Sequence, residues 1–312
     1  MTDLPTPEHE TAETAAVDAA AAERMPEPAT SGDFDIRAYT RTAAGSHADS
    51  LPLEAFTEHP LAAKTLRAIA YLRDLERFTM HHMRDVLVTP SHKDARLTAF
   101  LATWAFEKYW IADAFDRILA AHSSFVPAKN RARLRVVRFV REFVDRVSPI
   151  FTAIRANLIG EDFVAIHVTR GFIDELVSRA TYSQILKKDP NAALIEVLEG
   201  FQKLRNRHLQ FFEGETLRRL EESKSARKLT RSSLRRGWAP TGTAEQPTQE
   251  TRFMMTYLFS DASGRSDIAA VDLVVDTLPG QRGLAVMSKA ARKFGLKGAN
   301  GAAGANGVKA TA

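Results

Sequence analysis

The chain has 312 residues, 45% of them hydrophobic, no cysteine and a formal net charge of +5, so it can bury a substantial core without staples. Disulfides, thiolate metal sites and cysteine nucleophiles are excluded. No apolar run approaches the roughly 20 residues that span a bilayer, and the acidic N-terminus differs from a secretory leader, so no membrane span and a cytoplasmic location are expected.

Residues 1–33 carry eight carboxylates against the single Arg24 and lack the apolar content to offset ordering entropy, which predicts a disordered acidic tail. Residues 34–296 read as one helical domain. Its lead-in, 34–59, offers the apolar contacts Phe34, Ile36, Tyr39, Leu51, Leu53 and Phe56. Pro60 suits a helix start, and the first long helix is predicted from about Leu61 to Leu87. Thr89-Pro90-Ser91 breaks it, and a second long helix continues to about His122. Residues 128–147 read as a basic amphipathic helix with Arg131, Arg135, Arg138 and Arg141 on one side, broken at Pro149. A third long helix is expected from about Glu161 to Lys188 and a fourth from about Ala192 into 213–222.

Beyond these, Lys224 to Arg236 is basic but carries recurring apolar residues, which predicts a helix docked by one face. Short helices are expected over 248–259, 265–278 and 283–296, with a turn at Leu278-Pro279-Gly280. Residues 297–312, rich in Gly and Ala, read as a flexible tail.

Each long helix has an apolar stripe at alternating three- and four-residue steps, interrupted by one ionisable residue. The stripes are Ile69, Leu72, Glu76, Thr79, Met83; Leu97, Leu101, Trp104, Lys108, Ile111, Phe115, Ile118; Val164, Val168, Gly171, Glu175, Ser178, Tyr182; and Leu194, Leu198, Phe201, Arg205, His208, Phe212. A charge on a buried stripe is costly unless paired or bound to a metal. Four of them predict a shared centre. Glu107, about 100° round its helix from Lys108, reads either as a surface acid or as one that supports the centre from behind the residues forming it. His81, His82 and His92 read as solvated, and snorkelling to water is the alternative for Lys108.

The run Thr103-Trp104-Ala105-Phe106-Glu107-Lys108-Tyr109-Trp110-Ile111 resembles the second-helix motif, Trp followed by Glu-Glu-x-x-His, of ferritin-like actinobacterial proteins related to acyl-carrier-protein desaturases. Arg205-Asn206-Arg207-His208 is similar to the fourth-helix Glu-x-x-His, with only the His kept. Phe163 to His167, Ile173-Asp174-Glu175, Asp85 to Pro90 and Leu278-Pro279-Gly280 fit the same family, over roughly residues 50–295. The resemblance implies an all-α, ferritin-like four-helix bundle with additional C-terminal helices. It also implies a site for two irons, for which this chain keeps Glu76, Glu175 and His208 but has Lys108, Ile111 and Arg205 in place of the other ligands.

Glu76 and Glu175 balance the charges of Lys108 and Arg205. The leading expectation is therefore a degenerate di-iron site, its metals replaced by a buried cluster of Glu76, Lys108, Glu175, Arg205 and His208, in a pseudoenzyme with no cofactor. Such a protein would bind or interact rather than catalyse, with an acidic protein such as a carrier protein as its partner. The alternative is an iron oxidoreductase with the shifted ligand set Glu76, Glu107, Glu175 and His208, or a base or nucleophile at Lys108. The pI near 9.4 raises nucleic acid as a partner, but no reader motif accompanies it.

Overall fold

The computed structural model describes residues 34–87, 89–122, 160 and 162–296; the expected tails at 1–33 and 297–312 and the basic helix at 128–147 lie outside them. Among the described residues there are ten α-helices and no strand, an all-α fold. Four long helices form its centre: α3 (Ala63–Leu87), α4 (Ala95–Ala121), α5 (Asp162–Lys188) and α6 (Ala192–Glu222). Their ends follow local chemistry. Asp94 caps α4 by accepting from Leu97 N at 2.9 Å, and Asn191 caps α6 by accepting from Leu194 N at 3.1 Å. The stripes face inward, apart from half-buried Met83 and Ser178.

The pairs that touch give the direction of each helix. Arg73 meets Asp116 and Glu76 meets Lys108, so α3 and α4 are antiparallel. Tyr182 meets Arg205 and Gly171 abuts Phe212, so α5 and α6 are also antiparallel. Trp104 bonds Glu175 while Phe115 packs on Tyr182, so residue numbers rise together along α4 and α5, which are parallel. The order is up-down-down-up.

Shorter elements cover the grooves. The lead-in forms α1 (Ile36–Arg41) and α2 (Leu53–Glu58) and follows α4: Tyr39 stacks on Phe100 with ring centroids 5.3 Å apart, and Phe56 lies against His122. After α6 come α7 (Lys224–Arg236), α8 (Thr248–Phe259), α9 (Ala262–Thr277) and α10 (Val286–Lys293). The basic segment does dock by one face, burying Ala226, Thr230, Ser233 and Leu234 and exposing Lys228, Arg235 and Arg236. Helix α9 starts earlier than residue 265 because Asp261 caps it through Gly264 N at 2.7 Å. Helix α8 ties to α3 through the bidentate Arg67–Glu250 pair at 2.8 and 2.9 Å and through Tyr71–Thr251 at 3.1 Å. No helix among the described residues is long and apolar enough to cross a membrane.

Candidate functional site: a buried charge cluster

The four stripe charges meet. Lys108 Nζ lies 2.9 Å from Glu76 Oε2 and 3.3 Å from Glu175 Oε1. Arg205 pairs its Nη1 with Glu76 Oε1 and places Nη2 2.9 Å from Glu175 Oε2. Each acid thus faces both cations, and each cation both acids. Trp104 Nε1 donates to Glu175 at 3.1 Å, and Arg205 donates to the Tyr182 hydroxyl at 3.4 Å. Lys108 is only 6% exposed, so it does not snorkel to water.

Burial alone would raise both carboxyls. The charges of Arg205 and then Lys108 outweigh it, holding Glu76 below the ordinary carboxylate range and Glu175 at about 2. Burial likewise opposes the charge of Arg205, but Glu175 and Glu76 raise its pKa well above the ordinary value. Glu76, Glu175 and Arg205 are therefore ionised together.

Of the two readings of Glu107, the structure matches the acid that supports the centre through a neighbour, not the surface acid. Glu107 is fully buried, because the lead-in folds over it rather than leaving it at the surface. Its Oε1 accepts from Ala44 N at 2.9 Å and Arg207 Nη2 at 2.6 Å; its Oε2 accepts from the Tyr39 hydroxyl at 2.8 Å and His208 Nε2 at 2.6 Å. These bonds, led by that from His208, hold the Glu107 carboxyl low against the cost of burial. Burial lowers the pKa of His208 in spite of its acidic neighbours, so the imidazole is neutral and donates from Nε2. His208 Nδ1 stands 3.9 Å from Glu175 Oε1 without a hydrogen-bond partner. His208 thus stands between the two networks, in which Glu76, Glu107 and Glu175 balance Lys108, Arg205 and Arg207.

Tyr39 and Arg207 belong to this cluster and were not singled out from sequence. Tyr39 read only as an apolar contact. No local pattern marks Glu107 as enclosed, since its neighbours Phe106 and Tyr109 stay exposed.

The donors do not suit a pair of irons, nor the shifted set Glu76, Glu107, Glu175 and His208. Both Glu76 oxygens meet cationic nitrogens, the Glu107 oxygens accept four hydrogen bonds, and His208 Nε2 faces Glu107. An ammonium and a guanidinium have no lone pair to offer a metal. Among the described residues no group of three or more His, Asp or Glu side chains is placed to hold a metal ion. As a base or nucleophile Lys108 is no better placed, since its Nζ is committed to two carboxylates.

Next to this cluster, His82, His167, Asp174, Trp104, Gly171 and Phe212 line a cavity of about 10 Å³, room for a single water. His82 is half-buried there instead of solvated, while His81 and His92 are exposed. Burial, then nearby positive groups, lowers His82 to about 4 and His167 to about 3. Burial raises Asp174 to about 6, although Thr241 donates to it.

No protein-family model, no curated protein and no solved structure matches the chain.

Proposed function

We propose that the chain is a ferritin-like helical bundle that has exchanged a di-iron site for an internal salt cluster and works as a non-catalytic binding or interaction protein. The observation that carries this reading is the mutual pairing of Glu76 and Glu175 with Lys108 and Arg205. The up-down-down-up helix order supports it, since a bundle of that order needs one long crossover, as ferritin-like folds have. Its partner is an acidic protein of the carrier-protein kind, and the exposed cations Lys228, Arg235 and Arg236 on α7 offer it a surface.

Elemental analysis after expression in iron-rich medium tests the reading, together with an optical spectrum for oxo-bridged iron. Substoichiometric iron and manganese, unchanged in Glu76→Ala, are expected. Near-stoichiometric metal that is lost in Glu76→Ala or Glu175→Ala overturns the reading in favour of an iron oxidoreductase.

A further inference from the structure

Helix α7 carries six cations and no acid in its 13 residues. Elsewhere on the surface arginines stand beside acids, as Arg117 does with Asp113 and Arg218 with Glu215 and Glu222. On α7 the donors of Arg227 and Arg231 go to the carbonyl oxygens of Leu220, Gly280 and Arg282, which satisfies hydrogen bonds without cancelling charge. Lys228, Arg235 and Arg236 are exposed, and the charge of Arg236 bears on half-buried Arg170 strongly enough to help lower its pKa. Lys228, Arg231, Ser232 and Arg235 follow one another at steps of three, one and three, so they share one side of the helix and, with Arg236, line a groove of about 440 Å³.

We propose that this groove seats the chain's own acidic N-terminal segment, residues 1–33, bound in cis. The charges are complementary: eight carboxylates and the single Arg24 face a helix of cations. The point of attachment is suitable. Phe34 packs edge-on to Phe211 at 5.2 Å, the neighbouring Phe212 abuts Gly171, and the adjacent Arg170 holds Ser233 and the Gly237 carbonyl at 3.1 and 3.2 Å. Residue 34 therefore stands level, along the bundle axis, with the C-terminal half of α7, where Arg235 and Arg236 lie. Two helix diameters separate the sides of the bundle, about 20 Å, which about seven extended residues span. Asp3, Glu8, Glu10, Glu13, Asp18 and Glu23 all lie beyond that reach and are left to meet the groove. Exposed ion pairs are individually weak, but a tether of this length presents the segment at roughly millimolar effective concentration, so sub-millimolar affinity keeps it seated. The docking stands apart from the function proposed above; its consequence, that an acidic partner must displace the segment to reach α7, rests on that reading.

The chain has no cysteine, so Ala19→Cys in the full chain gives one attachment point for a nitroxide, whose broadening of backbone amide NMR signals reports what the segment touches. At low salt the signals of Lys228, Ser232 and Arg235 should lose at least about half their intensity, and should recover in about 0.5 M salt, where the Debye length falls to a few ångströms. The triple variant Lys228→Glu, Arg235→Glu, Arg236→Glu should abolish the broadening with Tm as in the parent, these side chains being exposed. Reversing Lys289, Arg292 and Lys293 on α10 changes the net charge equally and should leave it in place. Full intensity on α7 at low salt overturns the proposal, as does equal release by the two triple variants. Broadening that appears on isotope-labelled chains when only their unlabelled neighbours carry the nitroxide overturns it too, by assigning the contact to pairs of molecules. Full intensity with α7 signals that shift on adding oligo-dT gives the groove to nucleic acid instead. Each of these outcomes is independent of metal content, so the docking and the loss of the di-iron site fail separately.

Discussion

His208 Nε2 lies 2.6 Å from a carboxylate oxygen of Glu107, and both side chains are sealed from solvent. That contact fixes the tautomer of the imidazole and joins the acid of α4 to α6. Three other donors converge on the same carboxylate, one of them from Tyr39 in the lead-in.

Tyr39→Phe removes a 2.8 Å hydrogen bond to this ionised acid and leaves the ring packing intact. A loss of about 1.5–3 kcal/mol is expected, the range for hydrogen bonds to charged groups, measured by urea denaturation. An unchanged midpoint would mean that Glu107 does not depend on the lead-in.

Glu175→Ala leaves Lys108 and Arg205 enclosed with a single acid, and a cost of about 3–5 kcal/mol is expected. Replacing the whole quartet with apolar residues of similar volume, by contrast, should be neutral or stabilising, because the desolvation of four charges disappears with their attraction. Chemical denaturation of both variants separates a paired cluster from four independent charges.

Acid should weaken the fold in two stages. The folded-state values of His82 and His167, about 4 and 3, lie below the ordinary value of 6.5, so the unfolded chain binds protons more readily from about pH 6.5 downward. Stability is therefore lost as pH falls through that window. Asp174, raised to about 6, acts the other way: its contribution is present in acid and lost as pH rises through 6. His47 and His208, also lowered by burial, act with His82 and His167, while Glu213, raised by burial, acts with Asp174; the histidines outnumber the acids, so stability falls as pH falls between roughly pH 6 and 4. His167→Gln should flatten that slope in denaturation series at successive pH values. Below about pH 4.5, protonation of Glu175, held at about 2, adds the second stage.

A methyl group at Gly171 would come within 2.6–2.8 Å of the Phe212 ring. Gly171→Ala should cost about 1–3 kcal/mol through overpacking. Adding Phe212→Leu should restore part of it, and a double-mutant cycle with no coupling would locate the strain elsewhere.

How much of this was legible in the sequence depends on the residue. Glu76, Lys108, Glu175, Arg205 and His208 interrupt apolar rows whose period is local, so each could be placed on an inward face before any packing was known, and the all-α class followed from the same period. Glu107 could not. It lies off the stripe of its own helix, and its burial is produced by Tyr39 and Ala44, more than sixty residues away in the chain. No periodicity encodes such a contact. The pairing of His82 with His167 at one cavity likewise arises from the approach of α3 and α5, with ring centroids 6.5 Å apart.

Since each member of the Glu76–Lys108–Glu175–Arg205 quartet faces two opposite charges, no single position is free to drift. A chain descended from this one can change its interior only in compensated steps, an acid together with a base, or by giving up all four at once. The same closure makes the centre indifferent to ionic strength: brine that strips ligands from the basic surface of α7 should leave the middle of the bundle as it was.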